Sequence, residues 1–294
     1  MAKIVRTISH EATVVATAID ALDMVSEIEK IHNTSAVVTA ALGRLSIAAS
    51  LMGIALKGKD DSITLRVNGG GPCGTLIAVA DGLGNVKSYV ENPVVEIPLN
   101  RQGKLDVAGA VGKNGTLSVI KDMGLKEPYS GQIPLVSGEI AEDVASYYAL
   151  SEQVPTVCAL GVLVNPDLTV KAAGGYLIQL LPFAPESVID TIEKTIAEIP
   201  SVTKMLEAGT TADEMAHLVL RDLDPDVMDD LEAHFRCDCS KQRVERALIS
   251  LGRKELQEMA DEEKEQEICC HFCGKKYSFS PADLKRLLAA ATRD

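Results

Sequence analysis

The chain has 294 residues, 46% of them hydrophobic and 3% aromatic with no tryptophan, and 29 Lys and Arg against 42 Asp and Glu give a net charge of −13. That apolar content supplies a core and excludes disorder as the default, while an acidic, ring-poor surface disfavours nucleic acid, offering phosphates little charge and bases few stacking platforms. The apolar stretches "IAVA" and "CALGVLV" fall short of the ~20 residues of a membrane span, and "MAKIVRTISHEAT" is too polar for a signal peptide, so the expectation is a cytoplasmic protein without membrane contact, whose thiols stay reduced.

Residues 1–180 carry 14 basic against 18 acidic side chains, giving −4. Here "IEKIHNTSAVVTAALGRLSIAASLMGIALKG" predicts a buried helix, apolar on most sides, with Asn33 to Ser35 as capping candidates and Gly58 as a stop. "SITLRVNGGGPCGTLIAVADGLGNVKSYVENP" alternates β-formers with Gly and Asn clusters, the pattern of antiparallel strands and tight turns. "AGAVGKNGT" reads as a hairpin turn, and "VPTVCALGVLVN" and "TVKAAGGYLIQLLP" as two further strands. Neither "NGGGPCG" nor "AGAVGKNGT" has the Lys followed by Ser or Thr of a phosphate loop, and residues 1–180 carry no catalytic constellation, so the chain is not expected to be an enzyme.

Residues 181–236 carry 4 basic against 13 acidic side chains, giving −9. Val188, Ile192, Ile196 and Ile199 form an amphipathic stripe ended by Pro200. Thr211 and Glu214 stand at capping-box spacing, and "DPDVMDDLEAHF" predicts a helix capped by Asp224 with Pro225 at its first position. Such short acidic helices lack a core of their own and must lean on something else, as a conditionally stable linker would. Residues 237–294 balance 11 basic against 11 acidic side chains, and after two helical stretches end in a helix capped by Ser280 with Asp283. The fold class expected is α+β: an N-terminal sheet domain covered by helices over 1–180, an acidic helical linker over 181–236, and a small C-terminal zinc-binding module over 237–294.

Five of the seven cysteines lie in that last stretch. Cys237 and Cys239 form a CxC pair, and Cys270 and Cys273 a CxxC pair followed by Gly274. Four thiolates in two close pairs suit one tetrahedral Zn²⁺ per chain, and a module this small needs such a staple. Cys269 with Cys273 is an alternative second pair; the CxxC-Gly arrangement favours Cys270. His234 or His271 would make a Cys3His site, the lesser reading beside two matched cysteine pairs. Cys73 and Cys158, in strand contexts, read as small buried hydrophobes. Zinc-bound thiolates are nucleophilic toward oxidants, and close neighbours can resolve a sulfenic acid into a disulfide, so a redox switch is the sharper form of the metal reading.

With "HNTSAVVTAALGRLSIAASLMG", "GGGPCGTLIAVAD", "GNVKSYVENP", "SGEIAEDVASYYALSEQVPTVCALGVLVN" and the CxC then CxxC order in view, the chain resembles the heat-shock protein 33 family of bacterial redox-regulated holdase chaperones, nearly end to end. The resemblance implies Cys237, Cys239, Cys270 and Cys273 as zinc ligands of a reduced, inactive form. It implies Cys237–Cys239 and Cys270–Cys273 disulfides in an oxidised form that has lost zinc, unfolded its linker and captured unfolding client proteins without ATP, commonly as a homodimer. The family pattern does not require a cysteine at position 269. Two other functions compete. One is a zinc-module nucleic-acid or translation factor with Lys241, Arg243, Arg246, Lys275 and Lys276 as its basic face. The other is a thiol oxidoreductase using Cys270 and Cys273, which lacks a thioredoxin-like context.

Overall fold

Apolar and β-branched residues at alternate positions turn the first twenty residues into a hairpin, β1 (Ala2–Ser9) and β2 (Val14–Asp20). The helices α1 (Leu22–His32) and α2 (Ala36–Gly53) follow, then the strands β3 (Ser62–Asn68), β4 (Leu76–Asp81) and β5 (Val86–Val90). The chain continues through α3 (Val107–Val111), β6 (Thr116–Asp122), β7 (Tyr129–Pro134), α4 (Ala141–Tyr147), β8 (Thr156–Val164) and β9 (Val170–Leu180). Next come α5 (Glu186–Glu198), α6 (Val202–Glu207), α7 (Ala212–Val219) and a strand, β10 (Pro225–Ala233). This computed structural model describes residues 1–58 and 60–290. They fall into two compact units, Met1–Arg236 and a second beginning at Cys237.

The first unit holds two antiparallel five-stranded sheets, ordered β10-β1-β2-β9-β8 and β5-β4-β3-β6-β7. The helix α2 is buried against both, and its Leu42, Leu45 and Ile47 share one apolar cluster with Ile4 and Ile19 of the first sheet and Ile63 and Leu65 of the second. Among the described residues α2 is the one helix long and apolar enough to cross a membrane, and most of it is buried inside the fold. Its all-round apolar surface therefore reflects a core helix with a sheet on more than one side. The glycines of "NGGGPCG" permit close approach: a Cβ on Gly69 would lie 2.2 Å from the Gly112 carbonyl oxygen. The "AGAVGKNGT" stretch is not the expected hairpin; it begins in α3, whose N-cap Asp106 accepts from the Gly109 amide at 2.9 Å.

A second apolar cluster covers the other face of the first sheet. Val5, Val14, Ala16, Ala18, Tyr176 and Ile178 meet Val188 and Ile192 of α5, Val202 and Met205 of α6, and Met215 and Val219 of α7. The amphipathic stripe on α5 faces this cluster, with Ile196 and Ile199 at its margin. Thr211 and Glu214 close a capping box at the start of α7, as their spacing predicts. The helix expected over 225–235 is absent: Pro225–Ala233 is β10, an edge strand antiparallel to β1 with Ala2 opposite Ala233 and Ser9 opposite Pro225. The 181–236 segment is thus three α-helices, a single 3-10 turn at Arg221–Leu223, and a strand. Asp224, expected as a helix cap, instead sits at φ 50° and turns the chain onto the sheet edge.

The second unit contains α8 (Lys241–Ser250), α9 (Arg253–Asp261), the hairpin β11 (Gln266–Cys269) and β12 (Lys276–Phe279), and α10 (Pro281–Ala290). Its core is small, built on Leu248, Leu256, Ala260, Phe279, Leu284 and Leu287. Ser280 caps α10 by accepting from the Asp283 amide at 3.2 Å, while the Asp283 carboxylate accepts from the Ser280 amide at 3.1 Å.

Candidate metal centre

Each cysteine pair in the second unit sits where local structure turns the chain sharply. Cys237 and Cys239 lie in the segment before α8, whose N-cap Ser240 accepts from the Arg243 amide at 3.2 Å, and Asp238 is paired with Arg243. Cys270 and Cys273 occupy the turn between β11 and β12. There the Cys270 amide donates to the Lys275 carbonyl and the Gly274 amide to the Cys270 carbonyl, both at 2.8 Å. Gly274 takes φ +70°, the left-handed conformation that such a turn needs and glycine adopts without cost.

The two turns bring four sulfurs together. The Sγ atoms of Cys237, Cys239, Cys270 and Cys273 all lie within 4.8 Å of one another. Cys237 is 3.7 Å from Cys270, and Cys239 is 3.4 Å from Cys273. A sulfur tetrahedron around zinc, with bonds near 2.3 Å, has edges of about 3.8 Å. The cluster is close to that size. All seven cysteines are free thiols. The donor set is therefore four soft sulfur ligands, which fits zinc better than a hard cation such as magnesium or calcium.

Electrostatics make the cluster a place where charge is poised. Burial opposes ionisation of Cys239, yet the hydroxyl of Tyr277, which donates to its Sγ at 3.1 Å, and the neighbouring thiols hold it down at about 7. Burial pushes Cys237 and Cys273 up. Several thiols cannot all ionise in so small a volume without a cation, and a bound cation reverses that preference.

The structure thus brings together all four cysteines expected as ligands. Cys269 stands apart, exposed, with its Sγ 3.3 Å from the Gly274 carbonyl. Among the described residues neither His234 nor His271 joins the sulfur group. Of the proposed basic face, Lys241 lies 3.9 Å from Asp283 and 5.1 Å from the Phe279 ring centre, Lys276 is paired with Glu267 at 2.8 Å, and Arg243 with Asp238. Cys73 is buried in the main core and pushed up by burial to about 11, and burial holds Cys158, packed on the same core, at about 12. Burial thus disfavours the thiolate, the nucleophilic form, at both positions. Sequence reasoning passed over Tyr277, four residues beyond Cys273, because nothing local marks an aromatic side chain as a partner of a distant thiol.

Residues 2–280 match the family model described as Hsp33 protein. The chain belongs to the Hsp33 family. The 33 kDa chaperonin of Clostridium botulinum strain 657 is 45% identical over 286 residues, 97% of each chain. That of Lachnoclostridium phytofermentans is 49% identical over 285 residues, again 97% of each. The crystal structure of the 33 kDa chaperonin (heat shock protein 33 homolog) from Thermotoga maritima matches with a TM-score of 0.89 at 36% identity, covering 99% of both chains. Membership in the family makes this chain a chaperone with a C-terminal cysteine cluster able to hold a metal ion.

Proposed function

We propose that this Hsp33 protein is an ATP-independent holdase, inactive while reduced and zinc-bound, and switched on by oxidation of its four clustered thiols. The observation that carries the reading is the four-sulfur cluster inside a unit with a small apolar core, the kind of module that a metal commonly supports. Zinc, when bound at Cys237, Cys239, Cys270 and Cys273, would keep these thiolates deprotonated and join the two turns, contributing about 10–16 kcal/mol to the folding of such a module.

The chain's own residues supply the switch. One thiolate of each pair attacks a peroxide oxygen; the O–O bond breaks, a proton converts the leaving oxygen to water, and the sulfur is left as a sulfenic acid. The second thiolate then displaces the sulfenic oxygen, which leaves as water with a further proton. Each pair thus loses two electrons to one peroxide and ends as a disulfide, Cys237–Cys239 and Cys270–Cys273, the pairing that the family resemblance implies. The sulfurs then have no charge to offer a cation, and the second unit loses its clamp. Cys237 directly follows the segment 181–236, so order lost there begins at the end of the linker. Release of α5–α7 uncovers the apolar face of the first sheet, including Val5, Val14, Tyr176 and Ile178. A bare face of that kind binds other apolar chains, here unfolding client proteins in a reducing cytoplasm under oxidative stress. The active form is a homodimer, which sedimentation of oxidised protein checks.

The test is zinc content, free thiols and helix content before and after peroxide, beside a client-aggregation assay on the same samples. The expected result is about one zinc per chain when reduced, with joint loss of metal, four thiols and helix as aggregation suppression appears. Equal suppression by reduced and oxidised protein would sink the switch.

A further inference from the structure

We propose that β1 is a strand-capture edge that β10 keeps covered in the resting protein, and that its partner is an extended, acid-bearing segment of an unfolding client chain. This rests on the reading above that the linker detaches, and names a surface that the detachment would open.

The strand β10 is poorly suited to its place. Its nine residues begin with Pro225, carry four acids and no base, and leave Val227 and Met228 51% and 44% exposed. Its local sequence favours a capped helix, so only the partner strand holds it extended. What holds it includes the backbone ladder and three exposed or part-exposed ion pairs: Lys3 with Asp230 at 3.0 Å, Arg6 with Asp229 at 2.9 Å, and His10 with Asp226 at 3.7 Å when His10 is protonated. Surface pairs of this kind contribute little to stability. A bulge between Arg6 and Thr7 loosens the ladder further.

The strand β1 is the opposite. Ala2, Ile4 and Val5 are fully buried, and it pairs with β2 from Lys3 opposite Asp20 to Ile8 opposite Val15. It would remain in the sheet after β10 left, presenting a row of unpaired amides and carbonyls to solvent. Such an edge accepts an extended peptide as an added strand. Lys3, Arg6 and His10, relieved of Asp230, Asp229 and Asp226, would then select acidic side chains on the incoming segment. The acids of β10 mark which charges fit.

Release is tied to the cysteines by three hydrogen bonds. The His234 amide donates to Asn85 Oδ1 at 3.0 Å, the Val86 amide to the His234 carbonyl at 2.9 Å, and the Arg236 amide to the Val86 carbonyl at 2.8 Å. The next residue is Cys237. Disorder starting at the first thiol therefore reaches this anchor, just beyond the end of β10, before it reaches β10 itself.

Hydrogen exchange on the full-length oxidised protein, with and without reduced carboxymethylated α-lactalbumin as a permanently unfolded client, tests this. Oxidation should deprotect 225–236 and the outward amides of β1 while β2 and β3 stay protected. Client should then slow exchange in β1 by roughly tenfold or more and leave 225–236 fast. Retention of β10 on β1 in client-holding protein, with α5–α7 deprotected, would overturn this inference and leave the holdase switch standing. If oxidation deprotects neither α5–α7 nor the second unit, the switch itself fails. Protection of β1 that returns without client as protein concentration rises would also overturn it, in favour of a second copy. As an independent arm, a peptide of sequence DPDVMDDLEAHF should compete with client for oxidised protein, and the same peptide with Asp226, Asp229 and Asp230 replaced by Lys about tenfold less well. Equal competition by the two, or none by either, counts against the assignment.

Discussion

The two units of this chain solve the same problem at different sizes. Met1–Arg236 buries α2 against two five-stranded sheets and covers a second sheet face with three helices, so apolar area alone can hold it. The unit beginning at Cys237 has a two-stranded hairpin, three helices and a handful of buried apolar side chains. Beside that small core stand four sulfurs within 4.8 Å of one another, a group that could hold a metal ion. The difference teaches where the proposed redox signal would act: at the unit whose small core sits beside the thiols, and not at a core that contains none of them. Between these extremes lie α5–α7, folded only because the first sheet offers them an apolar face.

The largest expected effect comes from stripping the metal. A strong chelator added to reduced protein should unfold α8–α10, withdrawing about 10–16 kcal/mol from the second unit. Hydrogen exchange should find β3, β4 and β6 unchanged; joint unfolding of both units would break the comparison. Cavity mutations probe the other side. Leu45→Ala, at a fully buried position in α2, should cost about 2–5 kcal/mol of first-unit stability in urea melts and leave zinc affinity as it was. Met215→Ala, equally buried but on the linker helix α7 where it meets the sheet, should cost a similar amount locally and let reduced protein suppress client aggregation without oxidant. If Met215→Ala stays silent until oxidised, linker detachment is not what the switch controls.

Smaller changes sharpen the picture. Tyr277→Phe keeps the ring in the small core and removes the hydroxyl that donates to Cys239. Metal affinity, read by competition with a chromophoric chelator, should fall about 10–100-fold, with no change in first-unit melting. Smallest is Asp230→Asn, which removes the exposed pair with Lys3 and should lower the urea midpoint barely measurably, less still at high salt. A larger loss would mean that charge, rather than the backbone ladder, holds β10 in place.

Much of the site was legible because its chemistry is local. Cysteine pairs two and three residues apart already lie at distances that one ion can bridge, and the capping boxes at Thr211 and Ser280 need only their own turn. The body of the buried helix was equally plain, since an apolar surface on all sides has one stable place in water, and its N-cap is Ser35 as expected, but it ends at Gly53 rather than at the expected stop, Gly58. Three features were not legible. The stretch after Asp224 has helix-starting chemistry, and it became β10 because the open edge of β1 pairs its backbone groups at once, a gain that local propensity cannot match. The "AGAVGKNGT" stretch became α3 where a hairpin turn was expected, because Asp106 caps it from outside the motif and Gly69 lets the preceding loop close onto it. The hydroxyl of Tyr277 reaches Cys239 across 38 positions.

By itself, then, the amino-acid sequence determined the two close cysteine pairs, the buried helix, the capping boxes at Thr211 and Ser280, and the apolar alternation of most strands, all of which depend on neighbours within a few residues. Tertiary structure alone decided that four sulfurs meet within 4.8 Å of one another, that the three helices of the acidic segment rest on an apolar sheet face, and that a strand lies shortly before the first thiol. Those outcomes turn on contacts between residues far apart in the chain, whose energies no local pattern contains.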